Sequence, residues 1–112
     1  MLTLDLKGEI LSFKMTNKTI LDIDAKYENF GLVINGVMYG KELYNNSLRV
    51  LECSCISERK EPLTIEELVD KLEPQQLTQE VVTLATEIYY EYIGIKKIDE
   101  EQEHEEKEIK KK

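Results

Sequence analysis

Glycines and prolines divide this chain into short segments. Gly8 lies where a turn is expected, and Gly31 and Gly94 lie where helices are expected to end. Pro62 and Pro74 interrupt the chain between helices, because proline has no amide hydrogen to donate and clashes with the preceding turn. The spacing of these residues predicts a body built from several short elements.

The first of these segments alternates apolar and polar residues. Leucine occupies every second position from Leu2 to Leu6, Lys7 and Gly8 supply a turn, and the alternation resumes with Leu11 and Phe13. This pattern predicts a short β-hairpin with Leu11 and Phe13 on one face.

Helical spacing follows the hairpin. Thr16 is a plausible N-cap, and the next apolar residues recur every three or four positions, which predicts one amphipathic helix ended by Gly31. A second helix is predicted over residues 42–57. The apolar stripe of the first helix is Ile20, Ile23, Tyr27 and Phe30, and that of the second is Tyr44, Leu48, Leu51 and Cys55.

Two further helices are predicted after Pro62. Thr64 and Glu67 match a capping box, so a short helix is expected to run to about Leu72. The last helix is expected to begin at Thr78 or Gln79 and to stop at Gly94. Its broad apolar face comprises Val81, Leu84, Ala85, Ile88, Tyr89 and Tyr92.

Residues 32–40 fit two structures. Asn35 and Gly36 between apolar residues favour a type I′ hairpin, and valine and isoleucine favour strands. Each flank is only three or four residues long, however, which is short for an isolated pair of strands. Local sequence leaves helix and hairpin nearly equal here.

The last segment, residues 95–112, has almost nothing to bury. Its charged side chains allow only weak pairs four residues apart, such as Glu103 with Lys107, so we expect a charged, mostly disordered tail. Together these patterns predict a mainly α (α+β) fold. A hairpin and about four to five helices form a single domain over residues 1–94, followed by the tail.

Charge and hydropathy restrict the partners of such a chain. It has 23 acidic and 15 basic residues, and residues 1–94 alone carry a net charge of −7. A surface of this sign repels phosphate backbones, which disfavours nucleic acid as a partner. The longest apolar run is about four residues, far below the roughly 20 that span a bilayer, and no secretory signal is visible. We expect a soluble, cytoplasmic protein.

No pattern of residues predicts a catalytic, metal-binding or phosphate-binding site. Cys53 and Cys55 are two apart in a predicted helix and so point away from each other, and the single histidine, His104, lies among glutamates in the tail. Asp22 and Asp24 diverge in the same way, which favours a solvated face over an acid-base pair. No glycine-rich phosphate loop occurs. We therefore expect no catalytic, cofactor or metal site and no small-molecule substrate.

Tyrosine is the remaining candidate for a functional surface. Tyr89, Tyr90 and Tyr92 are spaced so that they do not all face one core, and tyrosine suits protein interfaces because it combines a large apolar body with a polar tip. At least one of them is expected to be exposed. They are the candidate partner-binding residues, although a small domain that simply leaves one tyrosine partly exposed explains the spacing slightly better.

The order of these features resembles the tail assembly chaperones of long-tailed phages and prophages of Gram-positive bacteria. The likeness rests on the N-terminal hairpin, the helix before Phe30, the stretch from Ile34 to Gly40, the Pro62 to Leu68 segment and the closing helix. It covers residues 1 to about 94, and no single residue in it is diagnostic.

This resemblance implies a non-catalytic function. Members of the family bind the long, aggregation-prone tape measure protein in the host cytoplasm during tail tube assembly, and they often self-associate into rings or filaments. Their helical bodies also favour helix for residues 32–40. The family commonly makes a longer product by ribosomal frameshifting. Codons for Lys110 to Lys112 could form a slippery run, or the lysines could simply end a solubilising tail.

Two other functions fit parts of the sequence. A structural component of a tail or head–tail junction would be expected to have a β-rich body, which the helical patterns disfavour. An acidic regulator that mimics DNA would need a continuous band of carboxylates, whereas the acids here are interleaved with lysines.

Overall fold

A computed structural model describes residues 2–94, which form an antiparallel hairpin followed by five helices. This confirms the predicted mainly α fold. The predicted tail, residues 95–112, lies outside the described residues. The strands are β1 (Leu2–Leu6) and β2 (Glu9–Phe13), and the helices are α1 (Asn17–Lys26), α2 (Phe30–Tyr39), α3 (Leu43–Ser54), α4 (Ile65–Lys71) and α5 (Val81–Ile93).

The hairpin has the register that its alternation predicts. Leu6 pairs with Glu9 across a two-residue turn in which Lys7 and Gly8 both have positive φ, as a tight hairpin turn requires. Leu4, Leu6, Leu11 and Phe13 are buried on one face. The chain after α3 covers the outer edge of β2, because Phe13 forms a bridge with Cys55 and the Ile56 amide donates to the Ser12 carbonyl at 2.8 Å.

Helix α1 is capped as predicted but is shorter than predicted. The Thr16 hydroxyl accepts from the Thr19 amide, and α1 ends at Lys26. The expectation that this helix continues through Phe30 to Gly31 is wrong. Glu28 adopts a left-handed conformation with φ of 73°, and Asn29 starts a new helix by accepting from the Leu32 amide at 3.2 Å. A turn with its own cap therefore replaces the last turn of the predicted helix.

Residues 32–40 lie in a helix and its cap, as the family resemblance implies, and the hairpin alternative is absent. Helix α2 packs against α3, and the two helices approach closely where Gly36 meets Asn46. A Cβ atom at this position would lie 1.9 Å from Asn46 Nδ2 and 2.4 Å from the Lys41 carbonyl oxygen. Gly36 thus serves close helix packing here, and it is Gly40, with φ of 81°, that ends the helix.

Helix α3 ends three residues earlier than predicted, at Ser54. The placement of both cysteines in one helix is therefore wrong, because Cys55 has extended backbone and pairs with β2. Thr64 caps α4 by accepting from the Glu67 amide as predicted, but the Glu67 carboxylate pairs with Arg59 and Lys71 instead of completing the predicted capping box. The predicted stop at Gly94 is confirmed, but α5 is preceded by a π-helical turn at Gln76–Glu80 in place of a cap at Thr78 or Gln79.

One apolar core joins the hairpin to all five helices. Helix α3 lies between α2 and α5, and it contributes Leu48, Val50 and Leu51. The other buried apolar residues come from the inner face of the hairpin, from the remaining helices, and from Met15 and Leu63 in the connecting segments. Within residues 2–94, no helix is both long enough and apolar enough to cross a bilayer.

Candidate protein-binding surface

Helix α2 carries no charged residue over its ten positions. Its inner face buries Val33, Ile34, Gly36 and Val37 in the core. Its outer face, which we define as Leu32, Asn35 and Tyr39, points into solvent. An amphipathic helix normally presents charged residues on that side, and a helix that is apolar all round is normally buried. Helix α2 therefore has the composition of a buried helix with one face uncovered.

The exposure of this outer face is large. Leu32 is 64% exposed and Tyr39 is 84% exposed, and the two are separated by seven residues, which is two helical turns. Isolated exposed apolar residues are common on protein surfaces. Two large ones aligned on an uncharged helix are less easily explained by chance, because together with the neutral Asn35 between them they form an uncharged strip that is apolar at both ends.

A groove of about 390 Å³ runs beside this strip. Leu32 belongs to both, so the groove continues the outer face of α2 toward α1 and the start of α3. Its walls combine apolar side chains with charged ones. The lining residues are Tyr27, Glu28, Leu32, Val33, Lys41, Glu42, Asn46 and Arg49.

Arg49 is the half-buried cation of the groove. Its guanidinium carbon lies 5.0 Å from the centre of the Tyr27 ring, a cation–π distance, and its Nη1 donates to Asn46 Oδ1 at 2.9 Å. Asn46 is itself buried and donates to the Lys41 carbonyl at 2.8 Å. An aromatic ring and a fixed amide thus hold the guanidinium in place.

Glu52 holds the hydroxyl end of Tyr27, whose ring lies under Arg49. The Tyr27 hydroxyl donates to the Glu52 carboxylate, which also pairs with Lys26 Nζ at 2.9 Å. Burial, together with the Glu52 charge, raises the pKa of Tyr27 well above its usual value, so the phenol stays protonated. Burial also raises the pKa of the neighbouring Cys53 thiol to about 11. This disfavours the thiolate and hence a role for Cys53 as a nucleophile.

The three predicted tyrosines are all half-buried. The Tyr89 ring packs 6.2 Å from Phe30 at the start of α2 and 6.5 Å from Tyr90. The Tyr92 hydroxyl donates to Asn17 Oδ1 and so joins α5 to the start of α1. Tyr89 and Tyr92 therefore also serve packing between helices. Their role in partner binding stays a prediction, and the aromatic row of Tyr90, Tyr89 and Phe30 leads to the first turn of α2.

The other side chains considered from sequence serve local structure. Asp24 accepts from the Phe30 amide at 2.8 Å, and Asp22 pairs with Lys18 at 2.8 Å on the surface of α1. Cys53 and Cys55 are free thiols. His104 lies outside the described residues. Among residues 2–94, no three His, Cys, Asp or Glu side chains are grouped so that they could hold a metal ion.

A second concavity, of about 420 Å³, lies around Arg59. Arg59 Nε donates to Glu9 at 2.9 Å, and Arg59 Nη2 pairs with Glu67, which also accepts from Lys71 Nζ at 2.9 Å. The Arg59 hydrogen bonds hold the pKa values of both Glu9 and Glu67 below their usual range. These charges satisfy one another, so the cluster joins β2, the α3–α4 loop and α4.

Sequence reasoning missed the outer face of α2 and the Arg49 groove. The available signal was the absence of charge between Phe30 and Tyr39. Read as a possible hairpin, that stretch did not reveal which residues share a face. The groove joins three separate segments, so no local pattern indicated it.

Comparison of the chain with protein-family models gives no match, and comparisons with curated proteins and with solved structures give none either.

Proposed function

We propose that this protein is a non-catalytic assembly factor, a phage tail assembly chaperone that binds the tape measure protein in the host cytoplasm. The observation that carries the proposal is the uncovered outer face of α2, where Leu32 and Tyr39 are exposed on a helix without charge. A chaperone of this kind needs an apolar surface that covers an exposed apolar segment of its partner until assembly. The tape measure protein is proposed as the partner because the order of elements resembles that of the tail assembly chaperones.

The geometry of α2 suits a helical partner. Residues 32 and 39 present side chains two turns apart along one helix, and such a strip packs against the apolar stripe of a second helix. Tape measure proteins are long and helical, so they offer many such stripes. The net charge of −7 over residues 1–94 keeps the chaperone itself soluble while the strip is free.

The mainly helical body also supports this function over the alternatives. A structural tail component was expected to be β-rich, whereas the described residues contain a single hairpin. A DNA mimic needs a continuous acidic band, and the Arg59 cluster instead pairs acidic side chains with basic ones.

Co-expression with the tape measure protein, followed by affinity purification, tests the proposal. That partner is identified as the product of a very long gene with helical periodicity immediately downstream. We expect the wild-type chain to co-purify with the tape measure protein and to increase its soluble fraction. Replacing Leu32 and Tyr39 together by serine should remove both effects. Replacing Val69 by serine is the matched control, because Val69 is 63% exposed but belongs to a different helix, α4.

Failure of the wild-type chain to co-purify with, or to solubilise, the tape measure protein would overturn the proposal. If the double variant retained full binding while V69S lost it, a chaperone function would survive but the outer face of α2 would not be its site.

A further inference from the structure

Arg49 differs from the other half-buried cations of the described body in having no carboxylate partner there. Lys71 and Arg59 both form ion pairs within 4.0 Å, whereas within residues 2–94 Arg49 forms none. Leaving a partly desolvated charge without a counterion costs free energy. Such a group suggests that the counterion comes from another molecule.

The guanidinium retains the donors that such a counterion needs. Arginine has five N–H groups, and the hydrogen bond from Nη1 to Asn46 uses one of them. Arg49 Cζ lies over the Tyr27 ring, which offers its π electrons, and the bond to Asn46 is the only hydrogen bond that Arg49 donates within residues 2–94. Asn46 is held by the Lys41 carbonyl, and Tyr27 is held by Glu52. The Arg49 guanidinium is therefore positioned before any ligand binds.

The walls of the groove define the rest of the ligand. Leu32 and Val33 offer apolar surface next to the guanidinium, and Lys41 adds a second cation that forms no ion pair within the described residues. The acidic residues of the groove, Glu28 and Glu42, lie beyond ion-pair distance of Arg49, and Glu42 accepts from Asn45 at 3.3 Å.

We infer that this groove binds one acidic side chain of the partner protein, a glutamate or aspartate next to an apolar residue. The apolar residue packs on Leu32 and Val33, and the carboxylate accepts a pair of hydrogen bonds from Arg49. This inference rests on the proposed function, because the occupant is a segment of the bound partner. It adds the recognition chemistry that the apolar outer face of α2 alone does not provide.

This arrangement would select the register of the partner. A body with a net charge of −7 repels acidic segments in general. A carboxylate of the partner binds favourably only where a cation of the body, here Arg49, is positioned to pair with it. An apolar strip by itself would let a helix slide along α2, because dispersion and hydrophobic contacts have little directionality. The groove therefore fixes where along the strip the partner binds.

A pair of matched peptides tests the inference directly. The first is a capped alanine-based helix that presents leucine and glutamate four residues apart, and the second has glutamine in place of glutamate. In NMR titrations of the full chain, the glutamate peptide should shift the Arg49 Nε–H signal and the amides of Leu32 and Val33, and it should bind about tenfold more tightly than its glutamine twin.

Variants of Arg49 assign the difference to this side chain. R49Q should bind both peptides equally, and R49K should recover part of the preference because it keeps the charge but lacks the planar fork. K60Q is the control, since Lys60 lies at the Arg59 concavity. Circular dichroism melting should show that each variant is folded.

Equal binding of the two peptides by the wild-type chain, or shifts that map away from the groove, would overturn the inference. This outcome is distinct from failure of the proposed function. Co-purification with the tape measure protein would then persist without any preference for glutamate. Conversely, a preference for the glutamate peptide without co-purification would support carboxylate binding in the groove and would refute the tape measure protein as the partner.

Discussion

The regions around Arg59 and Arg49 use the same side chain in opposite ways. Arg59 is 13% exposed and lies between the carboxylates of Glu9 and Glu67, so its charge is neutralised within the fold. Arg49 is half-buried against a neutral ring and a neutral amide, and it faces an open groove. The difference indicates that the first arginine serves the fold, whereas the second is stabilised in position without being neutralised.

Among the substitutions proposed here, one in the packing beneath Arg49 should cause the largest loss of stability. Replacing Gly36 by alanine would place a Cβ atom against Asn46 and the Lys41 carbonyl, which together position Arg49. Because Asn46 is buried and hydrogen-bonded, it has little room to move. We expect G36A to lose about 3 kcal/mol of unfolding free energy, measured by urea denaturation.

Asn35 provides the matched control for this substitution. It precedes Gly36 in the same helix but is exposed, so N35A should leave stability unchanged or raise it slightly, because alanine favours helix more than asparagine does. A G36A variant as stable as N35A would contradict the close crossing of α2 and α3.

Removing the two arginines should separate their roles. R59M leaves Glu9 and Glu67 without their shared cation, so its melting temperature should fall by several degrees in thermal denaturation. R49Q should change the melting temperature less, because no carboxylate in the described body depends on it. K60M is the control for R59M. A larger loss for R49Q than for R59M would reverse the comparison.

Acidification should weaken the Arg59 region selectively. The folded pKa values of Glu9 and Glu67 lie below their usual value of 4.5, so the unfolded chain takes up protons first as the pH falls. The stability contributed by these groups is therefore complete above pH 4.5 and is lost as the pH falls through the folded pKa values. Urea denaturation between pH 6 and pH 3 should show a steeper loss for the wild type than for R59M.

The outer face of α2 should contribute least to stability. The double substitution L32S/Y39S removes two exposed side chains, so we expect the free energy of unfolding to change by less than about 0.5 kcal/mol. Binding of an apolar dye such as ANS should decrease in the same variant. A large loss of stability would mean that these side chains support the core, and the comparison with V69S would show whether the effect is general.

The parts of the fold that sequence predicted well have their determinants close together in the chain. The hairpin follows from leucines at every second position with Lys7 and Gly8 between the strands. Thr16, Thr64 and Gly94 begin or end helices through hydrogen bonds or backbone conformations within one turn. Such features depend on neighbours that the sequence displays directly.

The errors arose where two local signals competed. Ile23, Tyr27 and Phe30 keep helical spacing, which predicted one continuous helix. Asn29, which lies between Tyr27 and Phe30, instead caps the start of α2, so the predicted helix is divided in two. For Gly36, the Asn–Gly pair indicates a turn, but the glycine is needed where α2 crosses α3. At Asn29 a local cap overrode the apolar spacing, whereas at Gly36 contacts with α3, which the local sequence does not show, decided between turn and helix.

Sequence by itself determined the class of this protein: an N-terminal hairpin, a mainly helical body of short elements, and a strongly acidic composition. Tertiary structure alone decided which apolar residues stay uncovered and which arginine is neutralised. The reason is physical. Burial and ion pairing depend on side chains brought together from distant segments, as Arg59 meets Glu9 and as Arg49 meets Tyr27.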